Sequence, residues 1–183
     1  VFDIVSASLL IALASPVMLL AALAIKLDSR GPVLYRQERT GLDNKPFQVV
    51  KFRSMRQDAE KDGQPRWATT GDDRITRVGR LLRVSRIDEL PQLFSVLKGD
   101  MSLVGPRPER PFFVEQLTRE IPFYAVRHSV KPGVTGWAQV NGRNALDWPS
   151  KFRLDVWYVD RMSLLLDVII LFLTAWKLVR REG

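Results

Sequence analysis

A mixed α+β domain held at a membrane is what this sequence predicts, and three observations predict it. The N-terminal end carries a long uncharged apolar run, two short β-branched and aromatic runs flank a Gly-containing turn, and later segments repeat apolar residues at helical spacing. A length of 183 residues fits one domain, or one domain with a membrane anchor. With 46% hydrophobic and 26% charged residues the chain can bury a core, which excludes low-complexity disorder.

The first element is the run from Ile4 to Ile25, IVSASLLIALASPVMLLAALAI, 22 residues without a charge. As a helix it would measure about 33 Å, enough to cross a hydrocarbon core of roughly 30 Å. It exceeds the usual apolar region of a secretory signal and no basic residue precedes it, so a signal peptide is a poor fit. Ser15-Pro16 divides it into arms of 11 and 9 residues, each about half a bilayer long. Proline deletes one backbone donor and crowds the preceding turn, which predicts a kink, and the Ser15 hydroxyl stands ready to satisfy the freed carbonyl. Two topologies follow, a kinked span and a hairpin that enters and leaves by one leaflet. Lys26, Arg30, Arg36, Arg39 and Lys45 come next, and the positive-inside rule puts this side in the cytoplasm. The chain thus divides into a membrane helix at 1–28 and a cytosolic part at 29–183.

Residues 33–36 (VLYR) and 47–53 (FQVVKFR), separated by Gly41-Leu42-Asp43-Asn44, read as a β-hairpin. Residues 57–73 are polar with Gly and Pro and read as a mobile loop. A helix then places arginines at every third position, Arg74, Arg77, Arg80, Arg83 and Arg86, interleaved with Ile75, Val78, Leu81 and Leu82. That spacing drifts about 60° per step, so the arginines wrap one broad face toward solvent or headgroups, with one or two free to meet a phosphate. The following helix, Ser85 to Leu97 with Gly99 as its stop, repeats Ile87, Leu90, Leu93, Phe94 and Leu97 as a buried stripe. Either Ser85 or Asp88 serves as its N-cap, which sets Asp88 and Glu89 at the positive end of a helix dipole. Acidic residues there are ordinarily capping devices.

In Val104-Gly105-Pro106-Arg107-Pro108-Glu109 two prolines hold the backbone on both sides of one arginine. Such a clamp suits a phosphate or a planar base edge, and it equally suits a rigid connecting loop. A polar helix near Glu115–Glu120 follows, and Lys131 to Asn144 is rich in turn formers around a short strand. Leu164 to Trp176 is apolar except for Asp167 and too short to span, so it reads as an interfacial or core helix, with Trp157, Tyr158 and Trp176 at headgroup level. Asp167 in that run is costly unless paired and is therefore a site candidate. His128 has no partner pattern and reads as structural.

Composition narrows the chemistry. The chain has no cysteine and one histidine, which removes disulfides, thiol nucleophiles and Cys- or His-pair metal sites and argues against a Ser-His-Asp triad. Catalysis is left to carboxylates, Lys, Arg or Tyr. The sequence lacks G-x-G-x-x-G, G-x-x-x-x-G-K-[ST] and Asp-x-Asp patterns. A net charge of +8 and a pI near 10.2 suit anionic headgroups or a phosphorylated substrate. A purely lipid-binding protein would share these features but leaves the Asp-Glu pair and the Pro-Arg-Pro clamp unexplained. Nucleic acid is not an expected partner, because no recognised binding motif accompanies the charge.

Together the Ser15-Pro16 break, Lys51-Phe52-Arg53-Ser54-Met55, Arg83 to Gln92, Lys98 to Glu109, Lys131 to Asn144 and Leu154 to Asp167 resemble, in order and spacing, the bacterial sugar transferases. These are monotopic phosphoglycosyl transferases that load a sugar phosphate onto a polyprenol phosphate. The resemblance implies a re-entrant helix-break-helix at the N-terminus, amphipathic interfacial helices, and residence on the cytosolic face of the bacterial inner membrane. It implies that Asp88 attacks the sugar-bearing phosphate of a UDP-sugar, expels UMP and holds the phosphosugar until polyprenyl phosphate takes it. That is the first membrane step of cell-surface polysaccharide or glycoconjugate synthesis. Glu89 matches the family's metal-associated carboxylate, for Mg²⁺ or Mn²⁺. Arg107 matches the element near the nucleotide, and Lys51, Arg83, Arg143 and Asp167 match other polar positions of the site. A carboxylate ionised by a helix dipole and nearby arginines would serve as the nucleophile. The motifs are compatible with glucose, galactose and N-acetylated hexoses, and leave the oligomeric state open. Larger members of the family carry further N-terminal helices and another domain, and the sequence is compatible with being their catalytic piece.

Overall fold

The computed structural model describes residues 1–59, 72–142 and 145–180. Most of the expected loop at 57–73, and Arg143, therefore lie outside the described residues. Helix α1, Phe2–Asp28, runs through Ser15-Pro16 without interruption, so the expected helix-break-helix takes the form of one helix. The reason is local. Pro16 cannot donate to the Ala12 carbonyl four residues back, and the Ser15 hydroxyl donates to that same carbonyl at 2.9 Å. Among the described residues α1 is the one helix long and apolar enough to cross a membrane.

Strands β1 (Leu34–Thr40) and β2 (Pro46–Phe52) form the expected antiparallel hairpin, in register from Leu34 opposite Phe52 to Thr40 opposite Pro46. Its turn holds a 3₁₀ segment, Leu42–Asn44, in which Asp43 and Asn44 take left-handed φ of 53° and 59°. A second, parallel pair joins β3 (Ser102–Val104) to β4 (Gly133–Thr135). Only the β4 part was read as a strand; β3 pairs with it from a distant segment, a contact that no local pattern signals.

The arginine helix is shorter than its spacing suggested. Helix α2 spans Arg77–Val84, capped by Thr76, whose hydroxyl accepts from the Gly79 N–H at 2.9 Å. Arg74 lies before it, paired to Asp72, and Arg86 lies after it at φ 61°. That left-handed residue breaks the next helix as well. Ile87–Glu89 forms a 3₁₀ turn, and α3 starts only at Gln92, running to Lys98 with Gly99 at φ 90° as the expected stop. Neither proposed N-cap operates: the Ser85 hydroxyl turns back to the Leu81 carbonyl and Pro91 occupies the cap position. The broken register also moves the buried stripe, which is Leu93 and Val96, while Phe94 and Leu97 face outward.

Helices α4 (Pro111–Glu120), α5 (Trp137–Val140), α6 (Trp148–Arg161) and α7 (Leu164–Arg180) complete the chain. The main core gathers Ala7 of α1, Val49 of β2, Leu93 and Val96 of α3, Leu103 and Val104 of β3, Val140, Tyr158 and Ile170. A second cluster packs Ala21 and Ile25 of α1 on Phe52 and Leu82. Both halves of α1 are thus bound to the same body. Its ends are tied too: Asp3 accepts from the Leu103 N–H at 3.2 Å and Asp28 from the Val78 N–H at 3.3 Å. Of the aromatics expected at headgroup level, only Trp176 is exposed; Tyr158 is in the core and Trp157 stacks on Trp137 at 4.8 Å.

Candidate active site

The 3₁₀ turn puts Asp88 and Glu89 side by side and nearly buried, at 7% and 8% exposure. Their surroundings differ. Glu89 Oε1 accepts from Lys51 Nζ at 2.8 Å and from Arg107 Nη2 at 2.6 Å, and Arg107 Nη1 stands 3.5 Å from Oε2. Asp88 Oδ1 is buried with no hydrogen-bond partner among the described residues. Burial pushes both carboxyls upward. At Glu89 the adjacent Arg107 and Lys51 outweigh it and hold the group well below the usual range. At Asp88 burial, reinforced by the negative charge of Glu89, keeps its pKa raised despite Lys51, Arg83 and Arg86 nearby. The expected dipole-assisted ionisation of Asp88 is therefore reversed, because Asp88 caps no helix and desolvation wins.

Each cation around the pair is held by a separate element. Lys51 projects from β2, opposite Tyr35. Arg107 comes from the Pro-Arg-Pro loop, whose backbone is fastened on both sides: the Gly105 N–H donates to the Thr135 carbonyl at 2.9 Å and the Gly133 N–H to the Pro106 carbonyl at 3.0 Å. A Cβ at Gly133 would collide with the Gly105 backbone, so this closeness requires glycine. Arg39 donates to the Pro108 carbonyl at 3.0 Å and pairs with Glu109 at 3.3 Å, and the Thr40 N–H donates to the Glu109 carbonyl, so the hairpin grips the same loop. Arg83 Nε donates to Ser54 Oγ at 2.9 Å.

Arg127 was not singled out by the sequence. Buried at 3% exposure, it pairs with Asp155 at 2.7 Å, donates to Tyr124 Oη at 3.0 Å, and reaches the Arg107 carbonyl with Nη2 at 2.8 Å. Its partner lies 28 residues away, a separation that no local pattern signals.

Of the residues named from sequence, the fold brings together Asp88, Glu89, Lys51, Arg83 and Arg107. Asp167 it does not: Asp167 Oδ1 accepts from Tyr158 Oη at 2.7 Å, which satisfies the pairing that its apolar helix demanded. Ser15 and Pro16 serve α1 alone. Arg39, Val49, Lys51, Gln92, Arg107 and Pro108 line a cleft beside the pair. A cationic, His-free cleft next to a desolvated carboxylate suits transfer of a phosphoryl group, where charge neutralisation and positioning matter more than acid-base exchange.

Comparison with known proteins agrees with this chemistry. Residues 1–181 match the family described as bacterial sugar transferase. A UDP-N-acetylgalactosamine-undecaprenyl-phosphate N-acetylgalactosaminephosphotransferase of Aeromonas hydrophila is 53% identical over 99% of this chain and 43% of its own length. An uncharacterized sugar transferase of Bacillus subtilis, EpsL, is 46% identical over all of this chain and 87% of its own. A UDP-glucose:undecaprenyl-phosphate glucose-1-phosphate transferase of Caulobacter vibrioides is 48% identical over all of this chain and 70% of its own. The chain spans less than half of the Aeromonas relative, and the match covers every element that builds the cleft, so this chain belongs to the bacterial sugar transferase family.

Proposed function

We propose that the chain transfers a sugar 1-phosphate from a UDP-sugar to polyprenyl phosphate through a covalent intermediate on Asp88. The observation that carries this reading is the buried, unpartnered Oδ1 of Asp88 beside a Glu89 already held by two cations. A desolvated carboxylate oxygen with no donor on it is the stronger nucleophile of the two. In the first step it attacks the sugar-bearing phosphorus, the bond from that phosphorus to the bridging oxygen breaks, and UMP leaves. In the second, an oxygen of polyprenyl phosphate attacks the same phosphorus. The acyl phosphate bond breaks, polyprenyl-diphospho-sugar forms and the Asp88 carboxylate returns. Glu89 keeps Lys51 and Arg107 aimed at the site and balances their charge until a diphosphate arrives to share them.

A divalent ion that arrives with the substrate is part of this proposal. No cluster of three or more His, Asp or Glu exists among the described residues; Glu89 Oε2, held only by the 3.5 Å contact from Arg107, is the carboxylate oxygen that would take a hard cation. Mg²⁺ is commonly bound by one or two carboxylates plus substrate phosphates, and when bound it neutralises charge on the diphosphate. Chelation is expected to stop turnover.

The setting is proposed as the cytosolic face of the bacterial inner membrane, with α1 re-entrant. With Asp3 and Asp28 both fastened to one body, a membrane-crossing α1 would have to carry that body through the bilayer. Exposed apolar side chains on α1, on α7 (Leu165, Phe172, Val179) and on α2 (Leu81, Val84) support burial in one leaflet. The net charge of +8 favours anionic lipid there. The relatives act on different sugars by name, so the donor is best found with a panel of UDP-sugars.

The test uses UDP-sugar without acceptor. About one equivalent of UMP per active site should be released, with a phosphosugar on the peptide containing Asp88 by mass spectrometry, and Asp88→Asn should abolish both. UMP release that requires polyprenyl phosphate, with no adduct, would overturn the covalent scheme.

A further inference from the structure

Two buried amides beside the carboxylate pair have no role in the scheme above. Gln92 begins α3, one turn after Glu89, and is only 2% exposed; it lines the cleft with Arg39, Lys51 and Arg107, and its Nε2 has no partner. Gln139 reaches Arg107 from α5. Its Oε1 accepts from Arg107 Nη1 at 3.2 Å, which fixes the orientation of the amide, and its Nε2 is likewise buried without a partner. Buried donors are ordinarily satisfied, and leaving one unpaired destabilises the fold. Two such unsatisfied amides beside Arg107, one in the cleft lining and one bonded to the guanidinium, mark a place where a ligand supplies the acceptors.

The kind of ligand follows from the surrounding charge. Arg39, Lys51 and Arg107, with Arg83 and Arg86 nearby, face Asp88, Glu89 and Glu109, so positive charge is in excess beside two neutral N–H donors. That combination fits an anion with several acceptor oxygens. We propose that Gln92 and Gln139 are substrate-binding residues whose Nε2 groups donate to phosphate oxygens, and that Gln139 also sets the aim of Arg107. This rests on the transferase reading, in which two phosphate sources enter the site, the nucleotide and the lipid carrier.

The test compares the full chain in detergent with Gln92→Leu and Gln139→Leu, which keep volume and remove the donors. UMP affinity is measured by titration, KM is measured separately for UDP-sugar and for polyprenyl phosphate, and Tm is read for each variant. Binding should weaken about 10-fold per lost donor; in Gln92→Leu Tm should hold or rise, since an unsatisfied buried group has been removed, whereas Gln139→Leu also strips an acceptor from Arg107 and is judged on binding and KM. A merely structural amide would give the opposite pair, lower Tm with unchanged KM. A rise in KM for UDP-sugar with weaker UMP binding places the donors on the nucleotide phosphates. A rise confined to polyprenyl phosphate places them on the lipid phosphate. Wild-type affinity for UMP and wild-type KM for both substrates in both variants would overturn the assignment. The transferase reading fails on a different result, no UMP release by the wild-type protein from any UDP-sugar, and UMP titration would still decide the role of the amides.

Discussion

Asp88 and Glu89 are neighbours with opposite electrostatics, and that asymmetry can be tested on each separately. Because the fold raises the Asp88 pKa, the native state prefers the neutral acid, and wherever the group is ionised its charge destabilises that state. Asp88→Asn should therefore raise Tm at neutral pH while abolishing transfer, and its advantage should vanish as pH falls into the range where Asp88 itself protonates. A lowered Tm at pH 7 would contradict the burial argument. The Arg127–Asp155 pair poses a different question, since Arg127 also holds the Arg107 carbonyl. Arg127→Met strands a buried carboxylate and should cost about 3–5 kcal/mol. The double variant Arg127→Met/Asp155→Leu should recover most of that in denaturant unfolding yet keep a raised KM for UDP-sugar, because the Arg107 loop has lost its tether. Full recovery of KM would make the pair purely structural.

Among the elements, α1 decides how the protein sits in lipid. Its 27 residues would measure about 40 Å, yet both ends are fastened to the same body. Since the chain has no cysteine, single cysteines at Val1 and at Arg30, both exposed, give a clean readout. In intact cells neither should react with a membrane-impermeant thiol reagent added from the periplasmic side, and both should react after permeabilisation. Labelling at Val1 alone would establish a span. The Ser15 hydroxyl already covers the carbonyl that Pro16 leaves free, so Pro16 alone does not end the helix; attachment at both ends limits its course.

For the molecule as a whole, one imidazole contributes to acid sensitivity above the range of the carboxylates. His128 donates through Nδ1 to Asn44 Oδ1 at 2.6 Å and joins the hairpin turn to the 3₁₀ segment Tyr124–His128. Burial, with Arg127 nearby, lowers its pKa to about 4. The native state thus holds it neutral while the unfolded chain protonates near pH 6.5, so its contribution is complete above about 6.5 and is lost as pH falls toward 4. With no second histidine in the chain, His128→Gln should flatten the Tm decline across that window. An unchanged slope would assign acid sensitivity to the carboxylates instead. The same protein exposes apolar faces on α1 and α7 together with a basic surface, so vesicles containing anionic lipid should retain it better than neutral ones.

Parts of the protein whose signal is local were legible in the residues alone. The apolar run of α1, the hairpin around Gly41–Asn44, the stop at Gly99 and the two prolines around Arg107 all follow from residues within a few positions of one another. Five of the seven polar site candidates read from sequence meet at one place, and the order of motifs pointed to the family. Tertiary structure decided the rest. Arg86 in a left-handed conformation divided the expected helix, which moved the buried face to Leu93 and Val96 and took Asp88 off the helix end. Asp167 found Tyr158, Arg127 found Asp155 across 28 residues, and Gln92 and Gln139 became buried donors without acceptors. Burial and long-range pairing are properties of a packed interior, and the energy of desolvating a charge depends on neighbours that a chain acquires only when it folds.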